Sequence, residues 1–246
     1  MQNGTDGAAA LDAALALVNS GNEQEAYKGK LALRRAVAAA GAPGREAERA
    51  EAAQKLAAAL ADAKTYSSRA RCTIAELLAD VGGDAEVAAL EGALADLEVR
   101  GAARWALDRI PAAAATAALV KSANESIGAR YRVGLMNSLG QRSGEGVVEA
   151  LKRCATEDPL TEVRLAAAEA LANHPDPASF AVVMKVMESP LTAQQKGRLW
   201  KASVRLASAV AASGNKLAAE RMFRAIADGG PAPQKKAAQA AVDALS

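Results

Sequence analysis

The stretch Val163-Arg164-Leu165-Ala166-Ala167-Ala168-Glu169-Ala170-Leu171, with Asp158-Pro159 just ahead of it, decides how this chain is read. An arginine followed by a leucine seven residues on occurs here as Arg164 and Leu171. Upstream it occurs as Arg71 and Leu78, Arg100 and Leu107, and Arg132 and Leu139. The steps between the arginines are 29, 32 and 32 residues. A near-constant period of this size marks a chain of stacked supersecondary units, each too small to bury its own apolar face.

The third residue after each arginine is Ile74, Ala103, Leu135 or Ala167. Offsets of three and seven share a helix face at about 3.6 residues per turn, so these residues and the leucines form a buried stripe. Alanine fills 66 of the 246 positions, and aromatics are 3% of the chain. Alanine favours helix and lets helix axes approach closely, so the fold class is all-α. Gly, Pro, Asn and Asp punctuate fourteen expected helices in seven pairs: 7–19 with 23–41, 44–63 with 66–82, 84–95 with 97–110, 112–122 with 126–140, 144–155 with 160–172, 177–188 with 191–213, and 215–227 with 231–245. The organisation is an α-solenoid of about seven helix hairpins. Residues 64–190 form the regular array, 1–63 an N-terminal set of repeats or cap, and 191–246 a C-terminal basic set or cap. The register blurs outside 66–188: neither Lys196 nor Arg198 has a leucine seven residues on.

With those residues in view, Asp158-Pro159 and the run from Val163 to Leu171 resemble the Asp-Pro…Val-Arg-x-x-Ala-x-x-Ala-Leu signature of HEAT repeats. The similarity is strongest to the short HEAT-like repeats first named from bilin lyases. The stretch Glu98 to Leu107 matches nearly as well, and 103–139 resembles bacterial HEAT-repeat proteins that are often exported. The resemblance implies a right-handed solenoid whose second helices line a concave face.

Offsets −2, +1, +5 and +9 from each arginine make one stripe on those helices. The resemblance places it in the groove. Its candidate partner-binding residues are Glu76, Trp105, Arg109, Arg130, Asn137 and Glu169. Trp105 is a candidate anchor in the middle of that groove, although a tryptophan filling space beside alanines has the same spacing. The register arginines Arg71, Arg100, Arg132 and Arg164, with Asp96 and Asp158 at the turns, are expected to form a structural ladder between repeats. Lys196, Arg198, Trp200, Lys201 and Arg205 form a basic patch suited to a phosphate backbone or a stacked base. Residues 190–246 carry nine bases and three acids, whereas 76–98 carry seven acids and no base. The formal net charge of +2 argues against a strong polyelectrolyte partner.

His174 is the single histidine, and Cys72 and Cys154 stand 82 residues apart, so a zinc ligand set is not expected. The chain has no elbow-type serine motif, Walker loop or GxGxxG element. The expectation is therefore a non-catalytic scaffold or adaptor that binds a protein partner on its concave face, with no cofactor and no enzyme activity. The alternative is nucleic-acid binding through the basic C-terminal helices. A bilin-lyase-like activity stands on repeat similarity alone, and a structural spacer completes the set. No run reaches membrane-spanning length, and a monomer is expected. The polar start, Met1 to Gly7, fits a mature N-terminus after an initiator methionine, so the cytoplasm and export both stay open.

Overall fold

A computed structural model describes residues 2–125 and 128–245, with side chains from residue 7 onward. The polar side chains of Met1 to Asp6 and the helix start expected at 126 lie outside the described residues. Among the described residues the chain is all-α, with fourteen α-helices and no strand. No helix is long and apolar enough to cross a membrane. The helices are α1 (Gln2–Val18), α2 (Glu23–Ala40), α3 (Glu46–Ala61), α4 (Ser68–Val81), α5 (Val87–Ala93), α6 (Arg100–Arg109) and α7 (Ala113–Glu125). They continue with α8 (Ala129–Leu139), α9 (Val147–Glu157), α10 (Thr161–Leu171), α11 (Ser179–Met187), α12 (Ala193–Ala212), α13 (Lys216–Gly229) and α14 (Ala232–Leu245).

Two compact units divide the chain, Met1–Leu119 and Val120–Ser246, and the division falls within α7. The boundaries expected near 63 and 190 lie inside the first and the second unit respectively. In the first unit α1 pairs with α2, α3 with α4, and α5 with α6. The second helices then stack as α2 on α4 on α6, and the first helices as α1 on α3 on α5. In the second unit α8, α10 and α12 stack in the same way, and α9 packs on α11.

The buried stripe explains the stacking. Ile74, Leu78, Ala103, Leu107, Leu135, Leu139, Ala167 and Leu171 are all fully buried. Each enclosed leucine contributes about 1.5–3 kcal/mol, and the alanines let neighbouring axes close up around it. Polar side chains fix the helix ends. Asn22 accepts from the Gln24 and Glu25 amides at 2.9 and 3.2 Å to start α2, and Thr192 and Gln195 form a reciprocal capping box on α12. Turns of successive repeats are also tied together: Asn19 donates to the Thr65 carbonyl at 2.7 Å and accepts from the Ser67 amide at 2.8 Å.

Glycine is required at two close approaches. A Cβ on Gly29 would stand 2.2 Å from the Val18 backbone nitrogen, where α2 crosses the end of α1. One on Gly140 would stand 2.9 Å from the Ala170 Cβ. Most bounds fall within three residues of the sequence reading, and two elements depart from it most. α1 begins at Gln2 rather than 7, and the first helix of the third pair is a 3-10 turn at Asp84–Glu86 running into the short α5. There the Glu86 carboxylate accepts from the Gly83 amide at 2.8 Å, which tightens the first turn.

Candidate functional site

In the first unit, α2, α4 and α6 enclose an open groove of about 980 Å³. α4 contributes Cys72, Glu76 and Asp80, and α6 contributes Gly101 and Trp105. These are offsets +1, +5 and +9 of Arg71 and offsets +1 and +5 of Arg100, so the stripe read from the repeat lines the groove. α2 contributes Arg34, Val37, Ala38 and Gly41, which the sequence reading did not single out. The available signal was weak. Leu33 and Val37 keep the four-residue spacing of Ile74 and Leu78, but valine replaces leucine and Lys30 stands seven residues before it.

Trp105 is 41% exposed, a high value for a tryptophan on a packed helix. The Arg109 guanidinium lies 5.1 Å from its ring centroid, at cation–π distance. Arg109 also faces Asp80 at 3.6 Å, so Trp105, Arg109 and Asp80 form one cluster across α6 and α4. At the other wall, Lys30 and Arg34 approach the same Glu76 oxygen at 3.6 and 3.9 Å. Arg104 pairs with Asp108 one turn along α6 at 3.0 Å. The Cys72 thiol, half-buried in the groove wall, has its pKa pushed up by burial first and then by the Glu76 and Asp96 carboxylates.

The second unit has its own groove of about 520 Å³ between α8, α10 and α12. Arg130, Val133 and Asn137 line it from α8, Glu162, Leu165 and Ala166 from α10, and Gln195 and Arg198 from α12. The six expected partner-binding residues thus divide. Glu76, Trp105 and Arg109 come together in the first unit, and Arg130 and Asn137 in the second. Glu169 is engaged within the protein: Arg198 grips its carboxylate with two bonds of 2.6 and 2.5 Å, and Arg205 donates to its backbone carbonyl at 2.8 Å.

That engagement also describes the basic patch. Arg198 and Arg205 serve as α12-to-α10 braces, while Lys196 and Lys201 are exposed. Trp200 is half-buried, and its ring edge faces Gly229 at the end of α13.

The register arginines divide as well. Arg71 is buried, donating to the Asp96 carboxylate at 2.5 Å and to the Leu60 carbonyl at 2.8 Å. Arg132 pairs with the buried Asp158. In both cases the arginine reaches the turn acid of the next repeat. Arg164 instead turns back to its own turn, donating to the Asp158 carbonyl at 2.7 Å and the Thr161 hydroxyl at 3.0 Å. The turn of the following repeat carries Glu188 at the place of Asp158, and Arg164 is not paired with it. Arg100 opens α6 and is half-buried.

His174 is buried at the end of α10, with Nε2 3.2 Å from the Leu139 carbonyl, and Asn173 donates to the Gly140 carbonyl at 2.8 Å. The two side chains latch the fifth repeat onto the end of the fourth. Burial depresses the His174 pKa and outweighs the Leu139 contact. Among the described residues, no three His, Cys, Asp or Glu side chains cluster as a metal site.

No protein-family model and no curated protein matches this chain. Solved structures do. The complex of CpcE and CpcF of phycocyanin lyase from Nostoc sp. PCC7120 is similar at 17% identity, over 96% of this chain and 94% of that chain, with a TM-score of 0.47. Human deoxyhypusine hydroxylase in complex with glycerol is similar at 17% identity, over 82% of this chain and 97% of that chain, with a TM-score of 0.43. The helix hairpins of each unit stack as a helical-repeat fold.

Two expectations are corrected here. The chain was expected to be a non-catalytic scaffold or adaptor, with nucleic-acid binding as the alternative, and not an enzyme. Both similar structures carry the names of enzymes or enzyme subunits, so helical repeats of this kind do not mark a chain as non-catalytic. The physical reason is that activity resides in sites carried by a fold, and missing sequence motifs exclude only the motifs themselves. At 17% identity, with TM-scores of 0.47 and 0.43, the likeness assigns no reaction to this chain.

Proposed function

We propose that this chain recognises a protein partner in the groove of the first unit, between α2, α4 and α6. The observation that carries the reading is Trp105, 41% exposed on the groove wall with the Arg109 guanidinium on its ring and Asp80 beside it. A large, stiff aromatic flanked by charged side chains is the residue type that dominates protein interfaces, and it stands in a concavity rather than on an open surface. The groove volume of about 980 Å³ suits a peptide segment or a protruding loop. A reaction performed on the bound segment, by this chain or by a second subunit, is compatible with the same groove.

The test is affinity capture from a lysate of the organism of origin, with wild type beside Trp105→Ala and Asn137→Ala. A partner kept by wild type and Asn137→Ala but lost by Trp105→Ala supports the reading. A partner set that is indifferent to Trp105, at unchanged helicity, rules it out.

A further inference from the structure

Resting on that groove reading, we infer that its occupant is an acidic segment of a partner protein carrying an apolar anchor. Charge favours an acidic occupant. Arg34 lines the groove and Lys30 and Arg109 flank it, facing Glu76 and Asp80, while Arg104 pairs with Asp108 and Asp96 with Arg71. Lys30 and Arg34 share one oxygen of Glu76 at 3.6 and 3.9 Å, and Arg109 lies 3.6 Å from Asp80. Those separations exceed hydrogen-bond range, so each guanidinium fork keeps its capacity for a bidentate carboxylate. A carboxylate lowered onto Trp105 meets Arg109 on the ring and Arg34 from the facing wall. A lysine in that place meets Arg109 and Arg34, and the acids that face it, Glu76 and Asp80, already face cations.

Apolar surface adjoins the groove. Tyr27 and Leu31 are 64% and 37% exposed on α2. They precede Arg34 and Ala38 at offsets of four, seven and eleven from Tyr27, which places all four on one helix face. That face therefore runs from two exposed apolar side chains into the groove lining. From Tyr27 to Ala38 it extends about 16 Å, the length of about five residues of extended chain. One short segment can set an apolar side chain against Tyr27 and Leu31 and present its acid to Arg34 and Arg109.

The test is selection of a random-peptide display library on the full-length immobilised chain, followed by anisotropy titration of the winners as labelled synthetic peptides. The expected winners carry Asp or Glu beside Leu, Phe or a similar residue. They should bind Arg34→Glu/Arg109→Glu about tenfold more weakly, and less tightly as salt rises. Both arginines are more than half exposed, so the double variant is expected to fold, and circular dichroism verifies this. Winners that are basic or uncharged, yet weakened by Trp105→Ala, overturn the acidic occupant and leave the groove reading standing. If no winner responds to Trp105→Ala or to the arginine pair, both fall.

Discussion

Replacing Arg71 by Met should destabilise the first unit by about 2–3 kcal/mol. The magnitude follows from what the guanidinium holds. Its Nη1 donates to Asp96 at 2.5 Å and its Nε to the Leu60 carbonyl at 2.8 Å, with the arginine side chain 8% exposed. Removing one partner of a buried pair costs about 3–5 kcal/mol, but the Asp96 side chain is 30% exposed and water recovers part of its solvation. The orphaned Leu60 carbonyl adds about 1 kcal/mol, and the Met stem preserves most of the packing. Asp96→Asn should cost less than Arg71→Met, and the double variant less than the sum of the two, with a coupling of about 1 kcal/mol or more. The assay is urea unfolding followed by far-ultraviolet circular dichroism, comparing midpoints at equal m. The pH dependence supplies a sign. Burial raises the Asp96 pKa, but the Glu98 amide and Arg71 outweigh it and leave it below its ordinary 3.8. Its contribution is then fully present above that value and is lost as the pH falls through the lowered one, so the gap between wild type and Arg71→Met should narrow only in acid. A cost below about 0.5 kcal/mol, or additive single variants, would refute the rung.

Other outcomes follow from the same geometry. Gly29→Ala should cost about 1–3 kcal/mol, because its Cβ would stand 2.2 Å from Val18 backbone that can yield only by moving a helix; a neutral result in urea unfolding contradicts the close crossing. His174 is held neutral by burial, with its pKa below the ordinary 6.5. Its contribution is therefore present above that value and lost as the pH falls toward the folded one, so wild-type stability should drop below about pH 6.5 and His174→Gln should flatten that slope. Glu169→Gln should cost about 1 kcal/mol or less, since Arg198 is 52% exposed. A maleimide should label Cys72 before the buried Cys154, and a groove occupant should slow that reaction selectively.

Most of the fold was legible because the repeat writes it several times over. A leucine seven residues after an arginine is weak evidence once and strong evidence at a steady period, and the stripe built on it lines both grooves. The contribution of α2 was not legible, since Lys30 and Val37 replace the arginine and leucine that mark α4, α6, α8 and α10. The difference between Glu76 and Glu169 was hidden for another reason. Both occupy offset +5, but only Glu169 has Arg198 close enough for a two-bond grip, and that depends on how α12 lies across α10. Arg164 carries the same lesson: its register is intact and Glu188 stands at the next turn, but the side chain bonds back to Asp158 and Thr161 instead.

Photo-cross-linking tests the central claim most directly. A benzophenone placed at Ala38, on the groove wall, is compared with one at Ala88, exposed on the first helix α5. The account predicts one partner protein joined at Ala38 and absent at Ala88, with the adduct lost when Trp105→Ala is added. Equal adducts from both positions, or an Ala38 adduct that survives the loss of Trp105, would contradict recognition in this groove.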